Sequence, residues 1–173
     1  GAGLEAARVA LAKAQRPLII AGVDAVSDAG AEAVQSAAEQ LGAPVITTYK
    51  AKGLLPEDHA LSLGGAGLSP KNDAVLLPFV RKADVILAIG YDPVEMRLGW
   101  QNPFDPETQV ILDITAEPNH HYMHQSTHNF VCDPAQTVAA LLPENMPSVW
   151  TDGAIETTKA ALAEAFPRGG VWG

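Results

Sequence analysis

The sequence predicts a single doubly wound α/β domain on a mostly parallel six-stranded sheet. Three observations carry this. Short runs rich in Val, Ile and Leu recur, apolar on both faces, as buried parallel strands are. Helical patterns with capping residues alternate with them. No hairpin dipeptide joins one apolar run to the next, so the connections must be crossovers, which are right-handed. A chain of 173 residues suits one such domain.

The elements follow in order. Leu4 to Gln15 is Ala-rich with apolar residues three and four apart, a helix that Pro17 ends. Pro17 to Gly22 is the first strand. Asp28 to Leu41 reads as an amphipathic helix, with Asp28 as N-cap and Gly42 as the C-terminal stop. Pro44 to Tyr49 is a second strand. The polar stretch Lys50 to Gly67 carries a short third strand, Ala60 to Gly64. Ser69-Pro70 opens a helix to Lys82, serine as cap and proline at the first helical position. Ala83 to Gly90 and Gln109 to Ile114 are strands separated by a long loop, and Asn129 to Cys132 is the last. Asp133-Pro134 repeats the cap-then-proline device before a helix to Leu142. Pro143 to Val149 reads as a linker and Asp152 to Phe166 as a closing helix. The division expected is a domain over 4–142 and a linker with C-terminal helix and tail over 143–173.

Composition excludes several functions. Eleven Lys and Arg against 20 Asp and Glu leave a net charge of −9, the wrong sign for a nucleic-acid grip or a polybasic membrane contact. The apolar runs are too short to cross a membrane. Cys132 is the one cysteine, so no internal disulfide forms, and a cytoplasmic location is expected. The start at Gly1 and the end around Pro167-Arg-Gly-Gly170 read as a piece of a longer protein.

A ligand in such a fold binds beyond the C-terminal ends of the strands. The turns in question are Gly22 to Ala25, Thr47 to Gly53 and Gly90 to Pro93, then Asp113-Ile114 and Cys132-Asp133. They form either a nucleotide cleft, with helix N-termini facing phosphates, or simply tight turns. The dinucleotide fingerprint needs a second glycine, but Val23 and Asp24 follow Gly22, and Tyr91 and Asp92 follow Gly90. Asp24, Asp92 and Glu95 bring negative charge to the phosphate path, with Lys50, Lys52 and Arg97 as available cations. Asp92 and Glu95, three apart in one turn, read as a solvated cap. His120, His121, His124 and His128 have partial helical spacing for metal but sit among Asn119, Gln125, Ser126 and Thr127, and read as an exposed polar turn. Neither a nucleophile elbow nor a P-loop is present. No catalytic or metal-binding residue is assigned.

The ordered set Arg16-Pro-Leu-Ile-Ile-Ala-Gly22, Ala43-Pro-Val-Ile-Thr-Thr48, Lys52-Gly53, Pro56-Glu-Asp-His59, Ser62-Leu-Gly64 and Gly67 resembles the central domain of thiamine-diphosphate-dependent enzymes. Ala83 to Gly90, Val110 to Ile114 and Phe130-Val-Cys-Asp133 resemble the family's remaining strands, so the likeness spans Leu4 to Leu142. Gly90-Tyr-Asp-Pro-Val-Glu95 with Trp100-Gln-Asn102 is similar to acetolactate synthases, especially the flavin-independent type. The resemblance implies a parent enzyme that decarboxylates a 2-oxo acid such as pyruvate and joins the product to a second carbonyl. It implies thiamine diphosphate and Mg²⁺ on flanking pyrimidine-binding and diphosphate-binding domains, and a dimeric or tetrameric parent. The Gly-Asp-Gly…Asn segment of the last of these domains does not occur in the 173 residues. In relatives the central domain binds FAD or ADP, or serves as scaffold. The positions that would face such a nucleotide are Gly22, Thr47, Lys52, Gly53, Gly64, Gly67, Gly90, Asp113, Ile114 and Asp133. The departures at Val23, Asp24, Tyr91 and Asp92 favour the scaffold, with a stand-alone FAD or ADP module and a structural interaction domain as alternatives.

Overall fold

The computed structural model describes residues 2–67, 69–96, 98–100, 103–116, 126–143 and 150–165. Six strands form one sheet: β1 (Pro17–Ala21), β2 (Val45–Thr48), β3 (Ser62–Ala66), β4 (Val85–Ile89), β5 (Val110–Thr115) and β6 (His128–Val131). Their spatial order is β3-β2-β1-β4-β5-β6 and every pairing is parallel. The helices are α1 (Ala2–Lys13), α2 (Asp28–Leu41), α3 (Pro70–Lys82), α4 (Pro134–Leu141) and α5 (Ala154–Ala165). The doubly wound parallel sheet expected from the sequence is therefore present.

Alternation along each strand sends side chains to both layers. On β1, Ile19 and Ala21 join Val34, Leu41, Leu87 and Leu112 in the core beneath α1, α2 and α4. Leu18 and Ile20 join Leu76, Phe79, Ile86 and Trp150 on the α3 and α5 face. A strand buried this way needs apolar residues at every position, which is why Pro17-Leu-Ile-Ile-Ala21 reads as it does.

Two local expectations change. The N-cap of α2 is Ser27, whose Oγ accepts from the Gly30 amide at 2.9 Å. Asp28 is the first helical residue, where its charge faces the positive end of the helix. Strand β3 runs Ser62–Ala66 rather than Ala60–Gly64 because the Ser62 amide closes a turn on the His59 carbonyl at 3.0 Å. Its pairing with β2 is irregular between Val45 and Thr47. At α4, Asp133 holds the N-cap position without a side-chain capping bond. Ser69 caps α3 and Gly42, at φ 62°, ends α2, both as expected.

The N-terminal ends of β1 and β4 are tied by Asp84. Its two carboxylate oxygens accept from the backbone amides of Gln15 at 2.7 Å and Arg16 at 2.8 Å. Nearby, Trp150 stacks on Phe79 with centroids 4.7 Å apart and donates its Nε1–H to the Pro17 carbonyl at 2.8 Å. Arg16 lies over the Trp150 ring and pairs with Asp152 at 2.8 Å. Gln109 donates to the Val80 and Ala83 carbonyls, both at 2.8 Å, and so satisfies the end of α3. At the other end of β4, Tyr91 is buried edge-on to Phe104. Burial, reinforced by the charges of Glu95, Asp92 and Asp113, holds its phenol well above the ordinary tyrosine range.

Two outcomes follow from these contacts. Asp84→Ala should lower unfolding stability by about 2 kcal/mol, since two bonds to a charged acceptor are lost; an unchanged urea midpoint would discount the tie. The raised folded-state pKa of Tyr91 means its stabilising effect is complete below the unfolded value of about 10 and declines as pH rises above it. Denaturant titrations at increasing alkalinity should therefore show Tyr91→Phe losing less stability than the parent chain. Parallel losses would contradict the assignment.

Candidate functional site

The order of the sheet reverses between β1 and β4, so a ligand crevice is expected beyond the C-terminal ends of those two strands. Here the two exits lie against each other. The Gly22 amide donates to the Ile89 carbonyl at 2.9 Å, and the Asp24 amide to the Gly90 carbonyl at 3.2 Å. A Cβ at Gly22 would collide with the Gly90 carbonyl and lie 2.6 Å from Tyr91 Cα. Gly90 has φ 59°, and a Cβ there would stand 2.8 Å from the Asp24 carbonyl carbon. Both glycines are thus required by backbone approach, in addition to the left-handed conformation at Gly90.

The space next to this contact holds Glu95. After Gly90 the chain turns through Pro93–Glu95, capped by Asp92, whose Oδ1 accepts from the Val94 amide at 3.0 Å. Glu95 is not the solvated residue its spacing from Asp92 predicts; it is 8% exposed. Its Oε1 accepts from the Thr48 hydroxyl at 2.9 Å and its Oε2 from the Val23 amide at 3.3 Å. A buried carboxylate is tolerated only with such donors. One side chain from the β4 exit therefore binds the exits of both β1 and β2.

The other predicted positions scatter. Thr47 on β2 donates to the Gly64 carbonyl at 3.4 Å, a link within the sheet. Gly67, beyond β3, packs against Met96, and its amide donates to Asp73 Oδ1 at 3.0 Å. Lys52 pairs with Glu57 at 3.3 Å. With Gly53 and Lys50 it borders a cleft of about 340 Å³ beside Ser27 and Asp28 at the start of α2. Asp113 is buried on β5 and accepts from Asn129 Nδ2 at 2.8 Å, while Ile114 belongs to the opposite core. Asp133 stands at the head of α4. The structure brings together Gly22 and Gly90, whose own amide donates to the Ile114 carbonyl at 2.8 Å, and separately Thr47 with Gly64 and Lys52 with Gly53, but not the whole set.

Thr48 and Asp73 went unrecognised in the sequence. Asp73 had one usable signal, an acidic residue in the first turn of a helix opened by Ser69-Pro70. Of the histidines, His128 lies on β6, and His120, His121 and His124 fall outside the described residues, as do Arg97, Gln101 and Asn102. Among the described residues no three of His, Cys, Asp and Glu gather into a metal site. Cys132 Sγ lies 2.7 Å from Thr137 Oγ1. No described helix is long and apolar enough to cross a membrane.

A diphosphate at the switch point would need backbone amides free to receive it and a gap to enter. The Val23 amide faces the Glu95 carboxylate, and the Gly22 and Asp24 amides are bonded to the β4 exit. The residues present do not fit the diphosphate of FAD or ADP at this position.

Comparison with known proteins places the chain. The family described as "Thiamine pyrophosphate enzyme, central domain" matches residues 4–141. The probable acetolactate synthase large subunit of Methanocaldococcus jannaschii is 35% identical over 60% of this chain and 17% of the relative. Sulfoacetaldehyde acetyltransferase of Alcaligenes xylosoxydans is 32% identical over 95% of this chain and 27% of the relative. The probable 2-ketoarginine decarboxylase of Pseudomonas aeruginosa is 30% identical over 94% of this chain and 28% of the relative. The alignments thus span between 17% and 28% of these curated relatives. With the fold, the order of its motifs and the family match over residues 4–141 in agreement, this chain belongs to the thiamine pyrophosphate enzymes, as their central domain.

Proposed function

We propose that this chain is the non-catalytic central domain of a thiamine-diphosphate enzyme of acetolactate synthase type, acting on 2-oxo acids. Its role there is to space and orient the flanking pyrimidine-binding and diphosphate-binding domains of an oligomeric, cytoplasmic parent. Thiamine diphosphate with Mg²⁺, held on those domains, supplies the carbanion chemistry, and protein groups orient the reactants. The relatives' names span an acetolactate synthase, an acetyltransferase and a decarboxylase, so the substrate assignment rests on the resemblance carried by the turn Gly90 to Glu95 with Trp100-Gln-Asn102 downstream.

The observation that carries the scaffold role is the Glu95 carboxylate, bonded to Thr48 and Val23 where a nucleotide diphosphate would otherwise collect donors. A second reading, a nucleotide-binding module, draws on the cleft at the start of α2 with Lys50, Lys52 and Gly53. There Asp28 sits at the helix end and Lys52 is paired with Glu57, both of which disfavour a phosphate.

The polypeptide expressed from its native reading frame, supplied with thiamine diphosphate and Mg²⁺, should release CO₂ from pyruvate and form acetolactate without retaining flavin. Catalysis on a different 2-oxo acid would correct the substrate and keep the role. Stoichiometric FAD in the purified protein, or a thermal shift with ADP at concentrations that saturate a specific site, would overturn the scaffold role.

A further inference from the structure

Asp152-Gly153 is the single Asp-Gly pair in the sequence, and no Asn-Gly occurs. This dipeptide has a chemistry of its own. Glycine has no Cβ to hold its amide nitrogen away from the preceding side chain, so that nitrogen reaches the aspartyl carboxyl carbon. In the structure nothing packs against the glycine: it has φ 75°, and a Cβ there would meet no atom within 4 Å. The Asp152 side chain is 47% exposed. Two bonds hold it. Its Oδ2 pairs with the Arg16 guanidinium at 2.8 Å, and its Oδ1 accepts from the Ala154 amide at 3.2 Å. The Gly153 carbonyl accepts from the Thr157 amide at 2.9 Å, so the same dipeptide opens α5. Two residues earlier, Trp150 is held by Phe79, the Pro17 carbonyl and Arg16.

We propose that Asp152-Gly153 is a site of spontaneous aspartate isomerisation, restrained by Arg16, and that its conversion releases the start of α5. The Gly153 nitrogen bonds to Asp152 Cγ and gives up its proton, and one carboxyl oxygen leaves as water, which closes a succinimide ring. Water then opens the ring. Attack at the former side-chain carbonyl restores aspartate, and attack at the main-chain carbonyl gives isoaspartate, with the backbone rerouted through Cβ and Cγ. One water leaves and one returns, so no oxidant or other reactant is needed. Ring closure requires Cγ to swing onto the backbone nitrogen, and so waits on the Arg16 pair and the Ala154 bond to open. Both lie at the surface, where such bonds are individually weak. After conversion the backbone is one methylene longer, and the free carboxylate is the former main-chain carbonyl. Arg16 and the Ala154 amide lose their acceptor, and the first turn of α5 loses its register with Trp150.

Ageing the native-reading-frame polypeptide in heavy-oxygen water at neutral pH tests this, with peptide mapping by mass spectrometry. Isoaspartate carrying one heavy oxygen should accumulate at residue 152. In Arg16→Met it should form about threefold faster, the rate equivalent of losing one surface ion pair. Arg16→Lys, which keeps the cation, should stay within about 1.5-fold of the parent chain. Asp152→Glu should give no conversion, because its ring would need one more atom. In the aged molecules the α5 amides should exchange hydrogen about fivefold faster, as for the loss of a helix-capping bond. No label at residue 152, while a synthetic peptide over 150–157 converts in the same buffer, would overturn the site. Equal rates in Arg16→Met and the parent would overturn the restraint by Arg16, and unchanged exchange in α5 would overturn its release.

Discussion

The carboxylate of Glu95 lies beneath the surface with one oxygen on the Thr48 hydroxyl and the other at the Val23 amide, and closure of the sheet's C-terminal edge depends on it. Removing a carboxylate from water is costly, so the group persists there only because two donors from different strand exits converge on it. The same bonds fix the relative positions of three chain segments. Gly22 and Gly90 make the arrangement possible by letting two backbones meet where any side chain would force them apart. Acid and glycines thus act as one unit: the glycines bring the exits together, and the acid takes up the donors left beside them.

The opposite edge of the sheet has a matching device. Asp84, just before β4, accepts from the two amides that precede β1. The central strand pair is consequently clamped by a carboxylate at each end, with fully buried apolar side chains between. Such a pair is tied at both ends and packed between, as suits the proposed role of holding neighbouring domains at a fixed spacing.

Most of the fold was legible because its signals are local. Pro17-Leu-Ile-Ile-Ala21 is apolar throughout because both faces of β1 are covered, and Ser69-Pro70 marks a helix start by its own chemistry. The errors have equally physical causes. Ser27 and Asp28 are both good caps, and only the reach of the Ser27 hydroxyl to Gly30 decides between them. The edge strand β3, with Gly64 and Gly65 inside it, has little apolar pattern to fix its limits. Glu95 was misread because its partners are 47 and 72 residues away in sequence. From the sequence alone it is one of two acids in a polar turn, and only the packed sheet distinguishes it from Asp92. The acidity of the rim was legible, but not the fact that one of those acids points inward.

Glu95 binds the strand exits by a specific interaction and does not merely occupy space. A double-mutant cycle in urea unfolding, with Glu95→Ala, Thr48→Val and the pair combined, measures that interaction directly. The structure predicts a coupling of about 1.5–2 kcal/mol, as for a buried hydrogen bond to a charged acceptor. Additivity within about 0.3 kcal/mol would show that the two groups do not interact, and the closed edge would need another explanation.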